Sequence, residues 1–159
     1  MNFPLFFCLR VGYIPCMSTP RPYKGLIDRL NDAGVRPTRQ RLALAKLLFE
    51  KAGGAPYRHV TAEQLHGEAM AADVRVSLAT IYNTLHQFTQ AGLLRELVVE
   101  PGQSMFDTNI DDHHHFYHES NGTLEDIPGD GIEVVGIPAA PDGSSVKRID
   151  VIVRLSDSE

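Results

Sequence analysis

Four histidines, His113, His114, His115 and His118, stand in the stretch DDHHHFYHES, with Asp107 ahead of them and Asp126 beyond Gly122. In an extended segment successive side chains point to opposite faces, so His113 and His115 share one face and His114 takes the other. Two imidazoles on one face make half a metal site. Asp107 closes the preceding hairpin, Asp126 lies where a short turn could fold it back on the neighbouring strand, and His59 comes from the loop before a helix. Together they offer three nitrogens and two carboxylates, a set that suits Zn²⁺, Fe²⁺ or Mn²⁺ better than soft cations. The plain alternative is a solvated histidine-rich turn. The same set could also serve a small metal-dependent hydrolase, although no obvious general base or nucleophile accompanies it.

The elements that must position these residues follow from periodicity. Leu26, Ile27 and Leu30 at helical spacing, closed by Gly34, predict a short helix over Tyr23 to Ala33. Pro37 breaks the chain, and Thr38 is the expected N-cap of a helix with the stripe Leu42, Ala45, Leu48 and Phe49 that ends at Gly53-Gly54. Thr61 with Gln64 fits a capping box for a third helix that turns Ala62, Leu65 and Ala69 inward. Ser77 caps a fourth, with Leu78, Ile81, Leu85 and Phe88 inward and Gly92 as its stop. LLRELVVE, the turn Pro101-Gly102 and QSMFDT then read as a β-hairpin.

Helices closed by a hairpin make a winged helix-turn-helix, with a generic α+β core as the bland rival. The outer face of the Ser77-capped helix favours the first: Ala79, Thr80, Tyr82, Asn83, His86 and Gln87 are short or neutral hydrogen-bonding groups, with no acid on that face to repel phosphate. His66 and His86 have no partner in sequence and read as surface or DNA-facing groups. Charge points the same way. Residues 1–105 carry 12 Lys and Arg against 8 Asp and Glu, a net-basic front suited to a polyanion, whereas residues 106–159 carry 3 against 12. Beyond the histidines, GIEVVGI and VKRIDVIVRL are β-branched runs, and an apolar strand in so small a unit wants the cover of a second copy of the chain.

The opening MNFPLFFCLRVGYIPC lacks a basic lead and is interrupted by Pro4, Arg10 and Pro15, so it fits neither a secretory signal nor a bilayer span. Met17 reads as the initiator. Cys8 and Cys16 both precede it, which leaves the folded body without a thiol and excludes a disulfide framework, a cysteine-based structural zinc and a cysteine nucleophile. A cytosolic location is expected. The domain expectation is a disordered extension over 1–22, a winged-helix DNA-binding domain over 23–107, and a ligand-sensing and dimerisation domain over 108–159.

In order and spacing, GVRPTRQRLAL, HVTAEQLH, VSLATIYNTLHQFTQAGLL and MFDTNIDDHHHFY resemble the ferric uptake regulator superfamily from about Gly34 to Asp126. Within it IYNTL, HHHFYHE and RIDVIVRL look most like the iron response regulator branch. The resemblance implies an α+β fold, a winged helix followed by a small β-rich dimerisation domain, working as a homodimeric repressor on double-stranded operator DNA without a membrane. It implies a regulatory metal site at His59, Asp107, His113, His115 and Asp126. Tyr82 would contact thymine methyls, Arg36 would enter the minor groove, and Arg41 would hold a phosphate, beside Thr80 and Asn83. Where relatives carry a CxxC zinc pair this chain has His118 and Asn121, Asn83 stands where many relatives have Arg, and the usual dimerisation helix is not visible in PGDGIEVVGIPAAPDG. The branch resemblance implies a haem response resting on His113, His114 or His115, with His118 as a nearby donor, because Pro15-Cys16 reverses the expected Cys-Pro order. Direct sensing of a divalent ion is the alternative.

Overall fold

A computed structural model describes residues 23–50 and 57–156. The expectations placed on residues 1–22, on Cys8, Cys16 and Met17, and on the Gly53-Gly54 stop lie outside the described residues.

The helical part is built from α1 (Lys24–Asp32), α2 (Arg39–Phe49), α3 (Ala62–Ala71) and α4 (Leu78–Gln90). The starts of α2, α3 and α4 have the caps their sequences suggest. The Thr38 hydroxyl accepts from the Arg41 amide, Thr61 and Gln64 complete a reciprocal capping box, and Ser77 accepts from the Thr80 amide. Gly34 (φ 73°) and Gly92 (φ 71°) supply the left-handed residue that ends α1 and α4. Leu44, Leu65, Ile81, Leu85 and Phe88 are fully buried in one core that Phe106 joins from the hairpin. The buried stripe of α2 is Leu44, Ala45 and Leu48, with Leu42 and Phe49 on its half-buried flanks. The expected stripe therefore sat slightly rotated, because α2 packs between α1 and α3 and needs apolar groups on both flanks.

Two three-stranded sheets follow. The first has order β1-β3-β2 and is antiparallel: β2 (Arg95–Glu100) and β3 (Gln103–Asp107) form the hairpin, and β1 (His59–Val60) adds to β3. His59 was expected in a loop; it is a strand residue, paired in register with Asp107. The second sheet has order β5-β4-β6. β4 (His113–His118) and β5 (Thr123–Pro128) are antiparallel, with His115 opposite Asp126. β6 (Ile152–Leu155) runs parallel to β4, with Ile152 beside His115. Parallel neighbours need a crossover of a dozen residues or more, and a 3₁₀ turn (Gly129–Gly131) with the irregular segment 132–151 provides it.

The β-branched run GIEVVGI forms no strand, which corrects its sequence reading. Val134, Val135 and Ile137 are exposed, Gly136 sits at φ 75°, and Pro138 and Pro141 remove ladder donors, so the run lacks both a partner edge and a face to bury. Of the longer run ending at Leu155 only Ile152–Leu155 pairs. A small second cluster of Val99, Met105 and Tyr117, flanked by Leu124 and Ile152, joins the hairpin to the second sheet. The result is an α+β fold: a helical winged part first, a β-sheet part second. Among the described residues no helix is long and apolar enough to cross a membrane.

Candidate metal centre

The two sheets meet at the five residues singled out from sequence. His59 comes from β1, Asp107 from the end of β3, His113 and His115 from alternate positions of β4, and Asp126 from β5. Strand alternation does the sorting: along β4, His113, His115 and Tyr117 are buried while His114, Phe116 and His118 are half-buried. One ligand atom from each of the five lies within 4.8 Å of every other. His113 Nε2 is 2.9 Å from His115 Nε2 and 2.9 Å from Asp107 Oδ2, and His59 Nε2 is 2.9 Å from Asp126 Oδ1. Donors about 2.1 Å from a common centre and at right angles would stand about 3 Å apart, so these spacings are those of a coordination shell.

Burial makes the arrangement demanding. Asp107 and His115 are wholly buried, and His113 is 4% exposed. His59 Nε2, Asp107 Oδ2 and Asp126 Oδ1 are buried yet make no hydrogen bond, a costly state for polar atoms unless a cation collects them. The opposite oxygens are occupied: Asp107 Oδ1 accepts the Asn109 amide at 2.7 Å, and Asp126 Oδ2 accepts Asn109 Nδ2 at 3.1 Å. Asn109 thereby turns one free oxygen of each carboxylate toward the centre. For Asp107, burial is the largest influence and pushes its carboxyl up, but the His115 and His59 imidazoles 3.5 and 3.7 Å from it and the hydrogen bond from the Asn109 amide together hold it well below the usual carboxylate range. Burial lowers His115, opposed in part by its bond to Asp107, which leaves the neutral imidazole a metal requires. Two carboxylates balance the charge of one divalent ion, and the imidazoles add nitrogen donors. The residues fit such an ion.

Asn109 was missed from sequence, although the Asp107-x-Asn109 spacing is that of an Asx turn, in which an aspartate holds the amide two residues on. Arg95 was missed too. It carries a charge on the inward phase of β2, shared with Leu97 and Val99. His114 points away from the five, and its Nδ1 is buried without a partner at a groove of about 390 Å³ that also meets Ile132, Val134, Ile137 and Val146. His118 stands 3.4 Å from Glu125, and Asn121 caps its own turn by accepting from the Thr123 amide and hydroxyl.

On α4 the expected outward residues are outward: Asn83, His86 and Gln87 are exposed, and Thr80 and Tyr82 half-buried. Arg41 lines one groove with Thr80 and Asn83 and a neighbouring groove with Arg36, whose carbonyl it bonds at 2.9 Å. Two readings need correction. An acid does reach this face: Glu63 of α3 accepts from the Tyr82 hydroxyl at 2.7 Å. His66 has a structural partner, since its Nε2 lies 3.1 Å from the Val76 carbonyl and ties α3 to the start of α4.

The sequence profile of the ferric uptake regulator family matches residues 32–153. A peroxide-responsive repressor of Staphylococcus aureus is 36% identical over 102 residues, 64% of this chain and 65% of that protein, so the chain matches somewhat less than two thirds of that relative's length. The solved Vibrio cholerae ferric uptake regulator aligns with a TM-score of 0.62 at 19% identity, covering 83% of this chain and 99% of that one. The Pseudomonas aeruginosa ferric uptake regulator, solved with manganese, aligns at 0.60 and 22%, covering 83% and 97%. At such identities the two structures speak for the fold alone.

Proposed function

We propose, from the premise that this chain belongs to the ferric uptake regulator family, that it is a DNA-binding transcriptional repressor, controlled by a divalent ion held by His59, Asp107, His113, His115 and Asp126. The observation that carries this is the convergence of five donors whose inward-facing atoms include three buried ones without a hydrogen bond. Manganese in one structural neighbour and the peroxide-responsive name of a sequence relative accord with a redox-active or borderline divalent metal at such a site. Family membership also argues against the hydrolase reading of the same ligand set. A divalent ion bound there would cross-link β1 and β3 of the first sheet to β4 and β5 of the second.

The chain's own residues do the rest. Residues 23–107 form the DNA-binding domain, with Thr80, Tyr82 and Asn83 of α4 in the major groove and Arg36 and Arg41 on the backbone or minor groove. Residues 108–159 form the sensing and dimerisation domain. A homodimer sets the spacing of two α4 helices on a two-fold operator. The five ligands straddle the join between the sheets, so occupancy biases the angle between reading helix and dimer.

A haem response, the finer reading of the branch resemblance, has one observation in its favour: the unpartnered Nδ1 of His114 beside an apolar groove. His113 and His115 face the five-donor centre instead. The two readings part on one set of experiments with the full chain. Mn²⁺ or Zn²⁺ titrated by calorimetry, with operator binding by gel shift, should show one site per chain and tighter DNA binding when loaded, both abolished by Asp107→Ala. Haem should leave operator binding unchanged in a His114→Ala variant and release it in the parent if haem is the signal. Equal operator affinity with and without every metal tried refutes the metal reading.

A further inference from the structure

Beside the five-residue cluster lies a second polar assembly that ligand counting does not use. Arg95 opens β2 and is 7% exposed. Its Nη1 donates to the Asp111 carbonyl at 3.0 Å and stands 2.7 Å from His113 Nδ1 and 3.4 Å from His113 Nε2. A donor in the ring plane and that close to Nδ1 would be far more distant from Nε2, so the guanidinium lies over the imidazole face. The in-plane partner of Nδ1 is the Asp111 carbonyl, 2.8 Å away. The carbonyl oxygen can only accept, so Nδ1 carries the proton, and in the neutral ring the lone pair then lies on Nε2, the atom 2.9 Å from Asp107.

The clamp has an anchor at the far end of the chain. Arg95 Nη2 donates to the Asp150 carboxylate, two residues before β6. Arg148 Nε stands 2.9 Å from the same carboxylate, and its Nη2 donates to the Asp111 carbonyl at 3.1 Å. Asp150 offsets the charge of Arg95, so an ion in the cluster meets an ion pair and not a bare guanidinium. The planar fork touches a ring, a carbonyl and a carboxylate at once, which an ammonium cannot do.

We propose that Arg95 is a positioning residue for the metal centre: it clamps the Asp111 carbonyl and the His113 ring so that His113 Nε2 faces the ion, and Asp150 makes that clamp depend on the docked C-terminal strand. The inference rests on the reading of the cluster as a divalent-metal site. It assigns a metal-linked role to two residues that are not ligands, one on the wing and one on the crossover.

The test uses the full chain and two readouts. Long-range ¹H–¹⁵N spectra of the metal-free protein report the His113 tautomer, and calorimetry reports Zn²⁺ affinity. The parent should show His113 as the Nδ1–H form. Arg95→Gln and Arg95→Lys should both give a tautomer mixture and a loss of Zn²⁺ affinity of about 10–100-fold. Asp150→Asn, at a side chain 40% exposed, should shift both readouts the same way by less, and it carries the test if the Arg95 variants unfold. A lowered melting temperature with unchanged tautomer and affinity would make Arg95 a packing residue and overturn the proposal, as would a gain in affinity. If the parent takes up no Zn²⁺ or Mn²⁺, the cluster reading falls and the metal role of Arg95 with it, while the apo tautomer still decides whether Arg95 orients His113.

Discussion

The helical part and the second sheet are held together by different means. Seven fully buried apolar side chains of α2, α3 and α4 meet in one core, and each of these three helices carries a side-chain cap at its start. The second sheet contributes only Tyr117 and Ile127 to the buried apolar set, and its small cluster depends on Val99 and Met105 from the hairpin. Its other anchors are polar: the five-donor centre, Asn109, and the contacts of Arg95 and Arg154. Apolar burial is non-directional and stands on its own, whereas a buried polar assembly is stable only when every member is satisfied. The first part therefore has an apolar core of its own, and the second leans on contacts made across the join.

The largest effect should come from the apolar side. Leu85→Ala removes a wholly buried side chain of α4 and should cost about 2–5 kcal/mol, read from urea midpoints. A cost below about 1 kcal/mol would mean that the helical core is no firmer than the sheet.

Tyr82→Ala should shift those midpoints far less than Leu85→Ala and weaken specific operator binding by about 1–3 kcal/mol, because the half-exposed ring lies on the rim of the core, stacks on His86 and donates to Glu63. Unfolding instead of lost binding would show that the reading surface is part of the core after all.

Asn109→Ala removes the side-chain amide that orients Asp126, while the backbone amide at 109 goes on holding Asp107. Zn²⁺ affinity should fall by about 10-fold or more while hydrogen exchange in α4 stays as in the parent. Loss of protection in α4 would join the two parts that the packing separates.

Mild acid should give the smallest change, and its sign is fixed. Above the ordinary histidine value of 6.5 His115 is neutral in folded and unfolded chains alike; below it the unfolded chain takes up a proton that burial denies the folded one. Stability of the metal-free protein should fall between pH 7 and pH 5.5, by at most about 1.4 kcal/mol per pH unit for one such group. Asp107, lowered from 3.8, adds a second loss only below about pH 4. Exchange in β4 and β5 should quicken first on acidification; first loss in α4 would reverse the comparison.

What could be read from residues alone follows the same divide. Caps, glycine stops and 3.6-residue spacing report local physics, and Thr38, Thr61, Ser77, Gly34 and Gly92 stand where they were expected. The alternation of His113, His114 and His115 is equally local, and the five residues of the cluster do come together. The run at Val134 and Val135 misled because β-branching speaks of a side chain's fit to a sheet, and whether an edge is available is a matter of tertiary structure. Glu63 at Tyr82, 19 positions apart, and Asp150 at Arg95, 55 apart, are contacts between elements that no local pattern encodes.

The parallel pairing of β6 with β4 has a consequence in time. Ile152 must reach His115 across the whole crossover, while the helices and the hairpin close over short separations. During synthesis the N-terminal elements are made and can collapse first, at about 5–20 residues per second. Every growing chain thus passes through an interval in which its helical half is already synthesised and its second sheet still lacks the β6 edge. The order of manufacture puts the more dependent half last.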